Sequence, residues 1–284
     1  MTLQQLKEAN EDREFAFSDK EFSFLAELAN KKTGIVLSAG KKNMVYSRLT
    51  RRLRQLGLSS FADYCKLVMA DSEGVEIGNM VNAITTNLTK FFRESHHFEH
   101  LHDNVILPFS KRAGRQDRLR IWSAGCSAGM EAYSIAMTIK SAINDILSWD
   151  ARILATDIDT NMLNTGRSGR YDISQLANIA EKYRKDVAVS DCGDEIMMSD
   201  YLRKMIAFKQ LNLLEDWPMT GMFDAVFCRN VVIYFDKDTQ RVLFNRIANL
   251  IKHDGCLYIG HSENLHNITD RFELIGRTIY RKIR

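Results

Sequence analysis

Two aspartates, Asp157 and Asp159, close the apolar run ARILATDID over residues 151–159. A carboxylate at the end of a strand in an α/β fold can accept hydrogen bonds from ribose hydroxyls. The alternative use is local, because an aspartate followed by Thr160 can cap the next helix. Asp157 is favoured as the ribose ligand and Asp159 as the cap. Roughly 30 residues upstream, about one βαβ unit away, lies a loop suited to the rest of such a ligand. In RLRIWSAGCSAGMEAYSIAM, residues 118–137, Gly125 and Gly129 bracket Cys126, Ser127 and Ala128. No Cβ intrudes at the glycines, so the backbone can lie against a ligand. The helix that follows directs its first N–H groups at whatever sits there. Glu131 falls in the first turn of that helix. Its carboxylate could attract an ammonium group, or could simply suit the helix N-terminus. The loop lacks G-x-G-x-x-G, and it has no Lys-Ser/Thr pair to hold a triphosphate and Mg²⁺. Two glycines after a strand often do no more than turn the chain.

The elements that must position these residues follow from apolar patterning. Leu119, Ile121 and Trp122 mark one short strand, and residues 151–159 mark a second. FDAVF, residues 223–227, reads as a third that runs on through CRNVVIYF. Together they predict a doubly wound, mostly parallel sheet that binds an adenosine-containing cofactor above its strand ends. Further on, residues 238–251 read as an amphipathic helix, CLYIG as a strand and FELIGRTIYRKI as a closing hairpin. Between residues 173 and 200 periodicity is poor. Val187 with Val189 and Ile196 with Met198 suggest short strands of a small antiparallel insert. Asn212, in KQLNLLE, is a polar candidate in an apolar frame.

The 284 residues are 45% hydrophobic and 26% charged, which places the chain among globular proteins of one large or two modest domains. The apolar runs are too short for a membrane span, and the polar N-terminus lacks a signal-peptide core. Five cysteines without paired spacing predict reduced thiols in the cytoplasm. Cys126 and Cys228 read as small fillers beside the cofactor site rather than nucleophiles. No Cys/His cluster has metal-ligand spacing, so no metal is expected.

Residues 1–17 are expected to fray. Helical patterns then run from 18 to 85, opened by Ser18 as N-cap with Glu21 at capping-box spacing. They define an all-helical domain over 1–85. In KKNMVYSRLTRRLRQL, residues 41–56, Val45, Leu49, Leu53 and Leu56 form the apolar stripe. Arg48, Arg51, Arg52 and Arg54 occupy the rest with no acid among them. Such a face is either solvated or a docking surface for an acidic partner. No aromatic lies among the arginines to stack bases, so an acidic protein helix is favoured over nucleic acid.

Five stretches in series carry a resemblance: TTNLTKFFRESHHF, WSAGCSAGMEAYSIA, TDIDTNMLNTGRSGRY, FDAVFCRNVVIYFD and IGHSENL. Together they resemble the CheR family, bacterial chemotaxis receptor methyltransferases, over nearly the whole chain. The resemblance implies a class I S-adenosylmethionine (SAM) fold over 86–284, with a β-subdomain insert at about 170–208. It implies O-methylation of glutamate side chains on chemoreceptor cytoplasmic helices by a cytoplasmic enzyme recruited to membrane receptor arrays. It leaves open a C-terminal receptor peptide as a tether held by the insert, and it suggests a monomer. Asn87, Thr89, Arg93, Gly125, Glu131, Asp157, Asn212, Leu213, Arg229 and Asn230 match the family's cofactor contacts. Tyr234, and Arg93 again, match residues near the methyl group and the incoming carboxylate. The helix with Arg48, Arg51, Arg52 and Arg54 matches the receptor-docking surface.

The chemistry agrees with the residues. A glutamate is already ionised at neutral pH, so methyl transfer to it needs alignment and desolvation rather than a general base. The family loop usually reads G-E-E-P-Y, whereas this chain has Gly129-Met130-Glu131-Ala132-Tyr133. The second acid is kept. The lost first acid and proline motivate an alternative, a SAM- or S-adenosylhomocysteine-binding regulator that docks without turnover. A nucleic-acid methyltransferase is disfavoured, because Arg229-Asn230-Val231-Val232 stands where base-amine methylases carry Asn/Asp-Pro-Pro-aromatic.

Overall fold

The computed structural model describes residues 13–112, 117–143 and 149–284. The chain divides into two compact units, Met1–Thr86 and Asn87–Arg284. In the first, α1 (Asp19–Thr33), α2 (Lys42–Leu56), α3 (Phe61–Met69) and α4 (Val75–Ile84) are all helical. Ser18 and Glu21 form the expected capping box: Ser18 Oγ accepts from Glu21 N, and Glu21 Oε2 accepts from Ser18 N at 2.6 Å. The buried stripe of α2 is Val45, Leu49, Thr50 and Leu53. The expected fraying does not extend to the described part of the N-terminal segment. Phe17 is buried with its ring 4.2 Å from that of Phe61, and Arg13 lies over Tyr46. One aromatic residue supplies enough apolar area to hold this segment down.

The second unit opens with α5 (His96–His100), a π-helical segment Leu101–Ile106 and α6 (Leu107–Arg112). There follow β1 (Arg118–Ala124), α7 (Met130–Ala142), β2 (Asp150–Asp157) and α8 (Thr160–Ser168). Next come β3 (Arg170–Asp172), β4 (Val187–Val189), β5 (Glu195–Met198), α9 (Asp200–Met205) and β6 (Ile206–Gln210). The chain closes with β7 (Phe223–Cys228), α10 (Lys237–Leu250), β8 (Ile251–Ile259), β9 (Phe272–Gly276) and β10 (Ile279–Lys282).

Seven strands form one sheet in the order β6-β2-β1-β7-β8-β10-β9, parallel except where β10 pairs antiparallel with β8 and β9. Side chains alternate between two apolar layers. Ile121, Ile153 and Phe227 face the layer that holds α7 and the π segment, while Trp122, Val226 and Leu257 face the layer that holds α10. Burial on both faces is why these strands read as continuous apolar runs. A separate antiparallel sheet, β3-β5-β4, carries the expected Val187 and Ile196 strands, and β6 joins the large sheet beside β2. The apolar run after Cys228 does not continue as a strand. Asn230 takes a left-handed φ of 58°, and Val232–Tyr234 forms a single 3₁₀ turn.

Candidate functional site

The site lies where β1, β2 and β7 end. β2 delivers Asp157, whose Oδ2 accepts from Ser127 N at 2.7 Å and whose Oδ1 accepts from Asp159 N at 2.9 Å. Burial pushes the Asp157 carboxyl up, and these backbone N–H groups oppose it. Each oxygen keeps a lone pair, so the carboxylate can still accept from a ligand hydroxyl. Asp159 is the N-cap of α8, with Oδ1 accepting from Asn161 N and Met162 N, while its Oδ2 takes Nδ2 of Asn87 at 2.8 Å. Two aspartates two residues apart thus do different work.

The loop over 125–129 hangs from β2, since Gly125 N and Cys126 N both donate to Thr156 O, at 2.8 and 2.9 Å. Gly125 has φ +75°, and a Cβ there would run into the Val231 side chain, so glycine is required on both counts. The Tyr171 hydroxyl donates to Ala128 O at 2.7 Å, and Ser127 Oγ to Asn87 O at 3.1 Å. Met130 is buried in the core layer, which leaves its neighbour Glu131 to the site.

Glu131 accepts from Ser123 Oγ at 2.7 Å and from Arg229 Nη1 at 3.0 Å. Arg229, at the end of β7, also donates through Nη2 to Arg93 O, with Glu94 Oε2 at 3.3 Å. Its side chain is 2% exposed, and its Nε meets no hydrogen-bond acceptor among the described residues. Burial pushes the Glu131 carboxyl up despite Arg229 and Ser123. Glu94 also accepts from His261, through both its backbone N–H and its ring. Beside it His97 is pushed down to about 3 by burial and by Arg229, so it is neutral and too weakly basic to take a proton. Burial raises the thiols of Cys126 and Cys228 well above their ordinary value, which rules them out as nucleophiles.

The other expected residues are placed as follows. Arg93 is half-buried between two left-handed residues, Phe92 and Glu94, and its Nη1 donates to Leu88 O at 2.9 Å. Thr89 is half-buried in the same segment. Asn212 turns into its own loop, accepting from Leu214 N and donating to Glu215. The Leu213 side chain packs in the layer beneath α10. Asn230 N donates to Glu263 Oε2 at 2.9 Å, and Tyr234 ends the 3₁₀ turn, half-buried. Sequence reasoning passed over Ser123, Glu94 and Glu263, the last visible only as the acid of IGHSENL. Among the described residues no group of three His, Cys, Asp or Glu is arranged to hold a metal ion.

The α2 arginines lack acids within their own helix, but acids from other segments reach them. Arg52 donates to Glu76 at 2.6 and 3.0 Å, and Arg54 pairs with Glu14. Arg48 Nη1 donates to Ile84 O and Thr85 O, where α4 ends. Arg51 is exposed and makes no hydrogen bond or ion pair among the described residues.

A parallel sheet with a carboxylate at the end of β2 and a small-residue loop at the end of β1 has the layout of an α/β fold that binds a nucleoside-containing cofactor. Residues 87–281 match the family model described as CheR methyltransferase, SAM binding domain, and residues 20–85 match CheR methyltransferase, all-alpha domain. The chain therefore belongs to the CheR methyltransferase family. It is 44% identical to a probable chemotaxis protein methyltransferase of Rhizobium etli over 253 residues, 87% of this chain and 94% of the relative. It is 40% identical to the chemotaxis protein methyltransferase of Salmonella typhimurium, covering 93% of this chain and 91% of that one. It is 41% identical to chemotaxis protein methyltransferase 2 of Pseudomonas aeruginosa, covering 95% of each. The chain is a methyltransferase of the chemotaxis type with SAM as cofactor.

Proposed function

We propose that the protein methylates glutamate side chains on the cytoplasmic helices of chemoreceptors, giving glutamyl methyl esters, and that the helical unit docks on those receptors. The observation that supports this reading is the placement of two carboxylates at the strand ends, Asp157 at the end of β2 and Glu131 in the first turn of α7, in a chain of the CheR methyltransferase family. A glutamate acceptor is already an anion at neutral pH and needs no base to ionise it.

SAM supplies an electrophilic methyl group on a sulfonium. The Asp157 carboxylate suits the ribose hydroxyls, and Glu131 suits the ammonium of the methionine tail. Arg93, on its left-handed turn, would orient either the tail's carboxylate or the substrate's. Tyr234 offers a neutral hydroxyl to the incoming carboxylate, which aligns it without quenching its nucleophilicity as a full cation would. Met130 packs in the core and leaves Glu131 at the site, so the altered loop keeps the acid the chemistry needs.

The test is incubation with tritiated SAM and purified cytoplasmic fragments of the host's chemoreceptors. Tritiated methanol released from the fragments on base hydrolysis of the methyl esters, and lost when the target glutamates are changed to alanine, is the expected result. Absence of label on every receptor fragment would sink the reading.

A further inference from the structure

The turn over residues 230–235 is held from both sides by side chains that the chemistry does not use. Two of its N–H groups go to one acid. Glu263 Oε1 accepts from Val232 N at 3.1 Å, and Oε2 accepts from Asn230 N at 2.9 Å and from Gly260 N at 2.6 Å. Its carbonyls go to one amide, with Gln240 Nε2 donating to Val232 O at 2.9 Å and to Phe235 O at 3.0 Å. Val232 thus has its own N–H and its own C=O satisfied by side chains from two remote segments. Both side chains belong to buried residues. Gly260 closes the junction: a Cβ there would lie 2.9 Å from Asn230 N and Cγ. Four of these contacts restrain a six-residue turn that would otherwise read as strand, and the turn carries Tyr234.

We infer that Glu263 and Gln240 form a clamp that places the Tyr234 hydroxyl for methyl transfer, so that both are positioning residues for the reaction. The inference rests on the proposed role of Tyr234 at the receptor glutamate. An ionised carboxylate accepting three backbone N–H bonds is a strong and directional restraint. A glutamine in its place would point N–H at N–H on one side. The clamp makes no contact with Asp157 or with the carbonyl that anchors the 125–129 loop. Gln240 bonds only Val232 and Phe235, so loosening it should disturb the transferring geometry more than the hold on the cofactor, whereas Glu263 also holds Asn230, which matches a cofactor contact. Small displacements of an aligning group are costly in a reaction that depends on alignment.

The experiment measures kcat for receptor-fragment methylation, the Kd for S-adenosylhomocysteine by calorimetry, and Tm, for wild type, Glu263→Gln, Gln240→Met and the double variant. The expected result is a kcat loss of about tenfold or more in each single variant, with Kd within about threefold of wild type in Gln240→Met. The double variant should lose less than the product of the two, because both act on one turn. If Glu263→Gln fails to fold, Gln240→Met decides alone by the same thresholds. Single variants with unchanged kcat overturn the clamp, as does a Kd that weakens in step with kcat in Gln240→Met. A wild type that labels no receptor overturns the receptor reading instead, and the clamp's assigned role with it.

Discussion

Arg52 with Glu76 in the helical unit and Arg229 with Glu131 at the strand ends are the same pair of groups in opposite balance. Burial pushes both carboxyls up. At Glu76 the hydrogen bonds from Arg52, Tyr64 and Asn79 outweigh burial and hold the group below its ordinary value. At Glu131 burial wins over Arg229 and Ser123, and the group sits above it. The Arg52 side chain keeps 24% of its exposure and that of Arg229 2%. Glu76 has a third side-chain donor, whereas the neighbouring charge of Glu94 adds to the effect of burial on Glu131, and the sign differs accordingly. The first pair is a fastening between α2 and α4. The second is a charge incompletely stabilised by its protein partners, and so one that a cationic ligand can stabilise further.

Removing the arginine should separate the two most sharply. Arg229→Met leaves Glu131 and Glu94 buried without their cation and should cost on the order of 3–5 kcal/mol. Arg52→Met should cost about 1–2 kcal/mol, because Glu76 keeps its bonds from Tyr64 and Asn79 and water can reach the vacated side. Urea denaturation of the two variants checks this, and equal losses would erase the distinction. Next in size, Asp157→Ala should weaken S-adenosylhomocysteine binding by about 30- to 100-fold, the worth of hydrogen bonds to a charged group. Calorimetry reads it directly, and an affinity within about threefold of wild type would remove Asp157 from the ribose role.

The pH dependence should split the same way. Glu131 has a raised pKa, so it takes up its proton while the pH is still above 4.5, the ordinary glutamate value. Asp157 is raised as well. Protonation in that window favours the fold, which gains relative to the unfolded chain, but it removes the anions the cofactor needs. Glu76 is lowered, so its contribution to stability is intact above 4.5 and is lost only as the pH falls through the lower folded value. On acidification S-adenosylhomocysteine affinity should therefore fall before the helical unit loses stability. In Glu131→Gln the affinity should start lower and vary less with pH. Simultaneous loss of binding and of helical signal would contradict the assignment.

The difference between the two pairs could not be read from the chain, whereas much around them could. Near-continuous apolar runs made β1, β2 and β7 visible, and the Asp159-Thr160 step announced the cap of α8. Asp157 stood out because a strand end is a local feature. The partners of Arg52 and Arg54 did not, since Glu76 and Glu14 lie 24 and 40 residues away and only the tertiary fold brings them near. The run NVVIYF looked like strand because Val and Ile favour one. The left-handed Asn230 and the bonds from Glu263 and Gln240 override that preference, and Glu263 acts on backbone atoms that carry no sequence signal.

The smallest effect concerns Arg51 of α2. With Arg48 on the carbonyls at the end of α4, Arg52 on Glu76 and Arg54 on Glu14, Arg51 is the exposed member of the set that has no ion pair among the described residues. An exposed charge contributes little to folding, so Arg51→Glu should leave Tm and S-adenosylhomocysteine affinity unchanged. If the helix docks on acidic receptor helices, the reversal should raise the KM for the receptor fragment by about threefold to fivefold, with kcat unaltered. The increase should shrink as salt rises through about 0.15 M, where screening sets in at about 8 Å. The same reversal at Arg52 should lower stability as well, because there the charge is already committed within the unit. A KM for Arg51→Glu equal to wild type at low salt would mean that the α2 face is merely solvated and that the receptor is gripped elsewhere.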